Sequence, residues 1–417
     1  VTTAVARSSK WLAPSVAAWV ILLVVTRLWG LSVLHHHSAN MALGAMPLFG
    51  QWDLRLGLAA LILVCIAVGA VWGAGRVAAG APWPALLLIA GLAAGAWALA
   101  LGGVDGSKVL GESIKRDYAE HVHYVDDAGG PHQFLEHYVE RQPSYPVHLQ
   151  AHPPGMTLAL WLGQEAGLSG PVWYIALPVL ATGAATIAAL VAFDDVAGRD
   201  LARRAAPFVV LAPAAVWRVN ADAVFAGPAM IGVAMVVLST NRSGRRGDLL
   251  AFGGGLVFGG ALFLSYGLTA LALPAVVVGF SRHRVRPLVW AALGAASVLL
   301  TARMFGFWWY DGLQVTRHQY AITIASVRPY SYFVVANLGV AALAVGPATV
   351  AGLTRLRAPG LWLVGGALAA LMAADLSGLS KSEVERIWQP FFPLLLTAGA
   401  YVATDRRSSR RWLSAQV

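Results

Sequence analysis

Cysteine is nearly missing from this chain: Cys65 is the only one in 417 residues. One thiol closes no internal disulfide and builds no zinc cluster. Charge is scarce too. Asp, Glu, Lys and Arg together make up 12% of the residues, about half of the roughly 25% in an ordinary soluble domain. A soluble globule is therefore excluded. Disorder is excluded as well, because 58% hydrophobic residues would leave too much apolar surface in water. Acids are the scarcer charge, 20 against 30 basic residues, for a net charge of +10. The arginines lie in short segments between apolar runs. The excess therefore reads as membrane orientation, and no nucleic-acid partner is expected.

Long apolar runs are abundant, together with 16 Trp, 44 Gly and 21 Pro. Gly and Pro within spans and Trp at the interfaces are usual for polytopic proteins. A span needs about 20 apolar residues. Runs of about that kind lie near 12–33, 56–75, 84–104, 172–194, 203–217, 223–240, 249–265, 267–281, 288–304, 331–347, 360–375 and 389–404. The runs at 203–217 and 267–281 are short enough to be tilted or broken. The first run follows Arg7 and Lys10 and lacks a small-residue cleavage site, so it reads as a retained span. The expected fold is all-α: one polytopic membrane domain over 1–417 with about 12 transmembrane helices.

Orientation follows from Lys and Arg. The segments with Arg7/Lys10, Arg76, Arg199/Arg203/Arg204, Arg242/Arg245/Arg246, Arg282/Arg284/Arg286, Arg355/Arg357 and Arg406/Arg407/Arg410/Arg411 hold 18 of the 30 basic residues. All should be cytoplasmic, with both termini, in a plasma membrane. The parity works if 153–168 does not cross. That piece opens with Pro153-Pro154, carries Gln164 and Glu165, and reads as a re-entrant or interfacial helix on the outer side. The outer segments are then 34–55, 105–152, 305–330 and 376–388. The second holds 8 of the 20 acids and 6 of the 11 His, and short amphipathic helices are expected within it.

Three motifs on that outer side could carry chemistry. In Lys115-Arg116-Asp117-Tyr118-Ala119-Glu120-His121-Val122-His123-Tyr124 a helix would set Asp117, Glu120, His121 and Tyr124 on one face. Two carboxylates and an imidazole could deprotonate a hydroxyl or hold a divalent cation; a solvated amphipathic helix is the plainer account. Gln150-Ala151-His152-Pro153-Pro154-Gly155 has the form of a helix start, or simply of a rigid turn. Lys381-Ser382-Glu383-Val384-Glu385-Arg386-Ile387-Trp388 places four charges before the last span. Its Arg386 could hold a lipid phosphate, or the segment could be an interfacial anchor with Trp388 at headgroup depth. Weaker signals are Arg218-Val219-Asn220-Ala221-Asp222, where Asn220 or Asp222 could simply cap a helix, Tyr266 in an apolar stretch, and Arg317 in an aromatic and basic outer segment.

Together these elements resemble the GT-C superfamily of integral membrane glycosyltransferases, in particular the polyprenyl-phosphate-sugar-dependent protein O-mannosyltransferases and aminoarabinose transferases. Asp117-Tyr118-Ala119-Glu120 stands where that superfamily has an Asp-centred motif in a long outer loop. His152-Pro153-Pro154-Gly155 stands where it has a Pro-Pro motif. The Glu383-to-Trp388 segment resembles one in bacterial members. Two departures accompany the likeness: extra spans precede the long loop, and Asp117 is followed by Tyr rather than Glu. Asp53, after the first span, is a minor rival to Asp117.

The resemblance implies a transferase that moves a pentose or hexose, such as arabinofuranose or mannose, from a polyprenyl-phosphate donor to a glycan, glycolipid or protein acceptor, with inversion. Membrane lipids and that donor would be its partners. It implies Asp117 as general base with Glu120 in reserve. Arg386, His152, Lys381 and Arg218 would meet the donor phosphate, and His121, Tyr118, Glu385, Tyr266 and Arg317 would line the substrate site. No metal ligand and no definite cofactor is assigned, although the clustered acids could hold a divalent cation. A transporter or flippase would instead need charges along a pathway and inverted repeats. A scaffold would tolerate loss of the acids in 105–152.

Overall fold

The computed structural model describes residues 12–36, 57–106 and 109–417. No strand occurs among them. Three long helices come first, α1 (Leu12–His36), α2 (Leu58–Gly80) and α3 (Trp83–Gly102). Short helices follow in the acidic loop: α4 (Glu112–Asp117), α5 (His123–Asp127), α6 (Pro131–Glu136), α7 (Tyr138–Arg141) and α8 (Val147–Ala151), then α9 (Gly155–Glu165). The chain continues through α10 (Pro171–Ala197), α11 (Arg199–Val210), α12 (Ala221–Ser239), α13 (Gly244–Leu262), α14 (Leu273–Ser281) and α15 (Val285–Met304). It ends with α16 (Trp309–Ile322), α17 (Tyr330–Leu353), α18 (Gly360–Leu376), α19 (Val384–Ile387), α20 (Phe392–Leu396) and α21 (Arg406–Gln416).

Seven of the described helices are long and apolar enough to cross a bilayer: α1, α2, α3, α10, α12, α15 and α17. The chain is thus a polytopic, all-helical membrane protein. The other five apolar runs form helices that are shorter, interrupted or charged at one end, for readable reasons. Helix α11 is amphipathic and gives way to a 3-10 turn, Pro213–Trp217, opened by its proline. Helix α13 carries Arg245, Arg246 and Asp248 in its first turns. The run at 267–281 divides into a 3-10 helix, Tyr266–Ala272, and α14. Helix α18 has 17 residues. The last run forms α20 and a 3-10 turn, Thr397–Tyr401. Helix α9 has 11 residues, about 16 Å at 1.5 Å per residue, too short for a core of about 30 Å. Its Trp161 donates to Asp126 in the loop at 2.9 Å.

Glycine sets the helix spacing. A Cβ on Gly255 would lie 2.0 Å from the Ala291 carbonyl oxygen, and one on Gly294 2.2 Å from that of Phe252. Helices α13 and α15 therefore touch backbone to backbone. Gly91 against Gly183 brings α3 onto α10 in the same way, and Gly232 against Gly254 brings α12 onto α13. Lipid tails supply no hydrophobic drive between helices, so such close van der Waals contact is what holds a bundle together.

The described basic segments gather at one end of the bundle; Arg7 and Lys10 lie outside the described residues. Arg203 donates to the Ala78 and Ala81 carbonyls at 2.7 and 2.9 Å, tying the α2–α3 turn to α11. Asp194 grips Arg199, and Asp195 at the same helix end pairs with Arg282 at 2.7 Å. Arg286 pairs with Asp248 at 2.7 Å. Gly360 packs on Ala197. The opposite end carries α4–α9, the 263–266 turn, α16 and the 377–388 segment. There Gly111 packs on Tyr174 at the start of α10. The acidic loop is a folded cap: Phe134, Tyr138, Tyr145 and Phe307 form one aromatic cluster, and Gln142 donates to the Gln150 carbonyl and to Thr316.

Candidate functional site

The site starts from a broken helix. A continuous helix over 115–124 would have put Asp117, Glu120, His121 and Tyr124 on one face. Instead α4 stops at Asp117, because Tyr118 leaves helical geometry with φ −140° and ψ −50°. The ring of Tyr118 is 2% exposed. It lies 5.8 Å from His148, 6.1 Å from His152 and 6.3 Å from Phe225 between ring centroids. Burying that ring ends the helix and parts the two acids. Asp117 faces inward, with His148 Nε2 at 3.5 Å and Arg116 Nε at 3.0 Å. Glu120 is exposed with Lys115 at 3.8 Å, and His121 stacks on Tyr124.

His152 is held by the turn after it. A Cβ on Gly155 would sit 2.2 Å from the Phe263 carbonyl oxygen, and the Gly155 N–H donates to that oxygen at 3.1 Å. Pro153-Pro154-Gly155 thus docks backbone to backbone on the 263–265 turn. Tyr138 secures the other side by donating to the Leu149 and His152 carbonyls at 2.7 and 3.0 Å.

Arg386 comes from the far end of the chain to the same place. Its Nη1 meets Asp222 at 3.1 Å, and its Nε meets Glu383 at 3.1 Å; Nη2 also binds Glu383. Asn220 caps α12 by accepting the Ala223 N–H, which leaves Asp222 in the first turn free for the guanidinium. Glu383 also faces Arg328 at 3.9 Å. The backbone here is unusual: Ser382 and Glu383 both have positive φ, 81° and 59°. Two consecutive non-glycine residues in the left-handed region store strain, a frequent property of functional turns. Asn337 braces the turn, donating to Asp375 and to the Ser380 carbonyl and accepting from the Ser382 N–H.

These groups feel one another's charge. Burial, offset by Asp117 and reinforced by Arg386, lowers the His148 pKa. Burial, with His148 and Arg386 adding to it, pushes His152 down to about 3. Both imidazoles are therefore neutral at pH 7. Burial raises Tyr118 far above its usual value, and Asp222 and Asp117 add to the rise. Burial opposes the charge on Arg386, but Asp222 and Glu383 more than offset it and raise its pKa. Glu385 is 3% exposed, and burial pushes it up to about 7. Several polar atoms here lack a protein partner: His152 Nδ1, Glu385 Oε2, Ser382 Oγ and Trp388 Nε1.

Of the residues singled out in sequence, Asp117, Tyr118, His152, Glu385 and Arg386 belong to this centre. The others stand elsewhere. Lys381 donates to the Ala325 and Arg328 carbonyls at 3.2 and 2.9 Å and clamps that turn. Burial and Arg328 lower its pKa. Arg218 is buried with its Nη1 turned to the Val209 carbonyl and, among the described residues, has no acid within ion-pair distance. Tyr266 packs on Trp309 beneath Gly312. Arg317 is exposed on α16. Trp388 is 1% exposed, a core residue rather than an interfacial anchor. Asp53 lies outside the described residues. Among the described residues no three His, Cys, Asp or Glu side chains converge on a metal-sized site. Sequence reasoning missed His148 and Arg328; Asp222 stood in a stretch read as a weaker functional signal, with helix capping as the plainer alternative. His148 sits four residues before His152, a spacing that would have placed both on one side of a helix.

The chain matches no known protein family, no curated protein and no solved structure.

Proposed function

We propose that the protein is a membrane glycosyltransferase of GT-C type that takes a pentose or hexose from a polyprenyl-phosphate donor. The observation that carries this reading is the meeting of Asp117, His148 and His152 from the acidic cap with Asp222, Glu383 and Arg386 at one end of an apolar bundle. A lipid-linked sugar has its chain in the bilayer and its phosphate at the headgroup layer. It needs a cation at that depth and a base above it.

Arg386 is the cation. A guanidinium has five N–H donors; three are engaged by Asp222 and Glu383, which orient it and leave the others for a phosphate. Asp117 is the base, with neutral His148 fixing its carboxylate. The acceptor hydroxyl loses its proton to Asp117, and its oxygen attacks the anomeric carbon. The bond from that carbon to the phosphate oxygen breaks, and the phosphate leaves with the electron pair. Attack opposite the leaving group inverts the anomeric centre. Charge balance favours this division of labour. As Asp117 is neutralised, the phosphate gains one negative charge, so the net charge of the buried cluster is unchanged through the step.

The basic end would face the cytoplasm by the positive-inside rule, which puts the centre on the outer side of the plasma membrane. The acceptor would be a glycan, glycolipid or protein there. In proteoliposomes supplied with radiolabelled polyprenyl-phosphate sugars and an acceptor extract, wild-type protein should release polyprenyl phosphate. Asp117→Asn should lose about 10²–10⁴-fold in rate with an unchanged melting temperature. Full activity in that variant would remove Asp117 from the role.

A further inference from the structure

The basic end holds two adjoining cavities that the proposed chemistry does not use. One, of about 410 Å³, lies between α2, α11 and α21. Five arginines line it, Arg76, Arg203, Arg204, Arg406 and Arg410, against two acids, Asp200 and Asp405. One acid is already engaged: Asp405 caps α21 by accepting the Arg407 and Ser408 N–H groups at 2.8 and 2.9 Å. Arg203 is committed to the Ala78 and Ala81 carbonyls, and Arg410 lies over Trp72 at 4.4 Å. Arg76, Arg204 and Arg406 have no carboxylate within ion-pair distance among the described residues. The first turns of α11 and α21 both open into the cavity, and their dipoles add positive potential.

The second cavity, of about 380 Å³, is an apolar groove between α2 and α3 with α11 as its floor. It meets the first at Ala78 and Pro207, which line both. Along α2 it reaches from Ile66 to Ala78, about 18 Å of helix at 1.5 Å per residue. That is close to one leaflet of a hydrocarbon core about 30 Å thick. Small residues, Gly69, Ala70, Gly73 and Ala74, make the groove, and a Cβ on Gly69 or Gly73 would touch nothing within 4 Å.

We propose that this pair of cavities binds one anionic glycerophospholipid, with its phosphate among Arg76, Arg204 and Arg406 and one acyl chain in the groove. Charge complementarity selects the headgroup, and the length and apolarity of the groove select a chain. The site lies at the opposite end of the bundle from Asp117 and Arg386. Arg203 and the lipid would together tie α2 to α11 and α21.

The test is lipid titration of the purified full chain in neutral detergent, read by native mass spectrometry. Phosphatidylglycerol and phosphatidylcholine with identical chains are compared, with glycerol 3-phosphate as a third arm. Wild-type protein should prefer phosphatidylglycerol. Each cation near a headgroup layer is worth about fivefold in affinity. The exposed pair Arg204→Gln/Arg406→Gln should therefore lose about thirtyfold for phosphatidylglycerol and little for phosphatidylcholine. Gly73→Leu, which fills the groove and suits a helix better than glycine, should weaken both lipids and leave the charge preference intact. Equal binding of the two lipids by the wild type would overturn the proposal, and so would a preference that survives the arginine changes. Glycerol 3-phosphate binding as tightly as the whole lipid would overturn it too, because the groove would then have no part.

Discussion

At the residue scale, Glu385 is a buried acid that the fold holds toward its neutral form. It sits one residue from Arg386, yet its Oε2 has no partner and burial pushes its pKa up to about 7. The folded state therefore holds this proton more tightly than the unfolded chain, whose glutamates titrate near 4.3. Where the folded state binds more protons, stability falls as pH rises. Its contribution should decline from about pH 4.5 to about pH 7 and stay level above. Thermal melts of Glu385→Gln against wild type should show a gap in favour of the variant that widens across that window and is constant beyond pH 8. A pH-independent gap would mean that Glu385 is not buried as a neutral acid. The same paired logic applies to Arg386. Arg386→Gln strands two carboxylates and should be destabilising, by less than the roughly 3–5 kcal/mol of a fully buried pair because the Arg386 side chain is about a third exposed. Adding Asp222→Asn should recover part of that loss, a coupling that denaturation of the single and double variants would measure.

Elements decide which side chains meet. The break at Tyr118 turns Asp117 inward and Glu120 outward, and the close contact at Gly155 fixes His152. Gly155→Ala would drive a methyl into the Phe263 carbonyl oxygen, 2.2 Å away. Over-packing of this kind costs about 1–3 kcal/mol, so the variant should melt lower and lose transfer even though it touches no proposed reacting group. These elements also mark how far the sequence could be read. Apolar runs and charge segregation made the long helices legible, because a bilayer permits little else. The Asp117, His152 and Arg386 motifs stood out as polar groups in an apolar chain. The helix break did not, because Tyr118 breaks a helix only when a pocket formed by His148, His152 and Phe225 exists to bury its ring. Arg328 and Asp222 stayed unassigned for the same reason: ion pairs between residues far apart in the chain, Arg328 with Glu383 and Asp222 with Arg386, leave no trace in local pattern. Lys381 stands apart from the centre because backbone carbonyls, invisible in sequence, engage its ammonium.

At the scale of the whole molecule, the chain is polarised. Arginine-rich turns tie one end together, while acids and imidazoles cap the other. In a Cys65→Ala background, a single cysteine at Glu120 should react with a membrane-impermeant maleimide in intact cells, and one at Arg245 only after permeabilisation. Labelling of both from one face would contradict the two-ended arrangement. Polarity of this kind suits one-sided chemistry on a lipid-borne substrate, and it separates the proposed reaction centre from the proposed phospholipid site.

The most direct test of the central claim is a cryo-electron microscopy structure of the full chain in nanodiscs with a polyprenyl phosphate. The phosphate should lie against Arg386, below Asp117 and His148, with the prenyl chain leaving into the bilayer. Phosphate density confined to the arginine cavity at the opposite end, with the Asp222–Arg386–Glu383 cluster closed and empty of ligand, would contradict it.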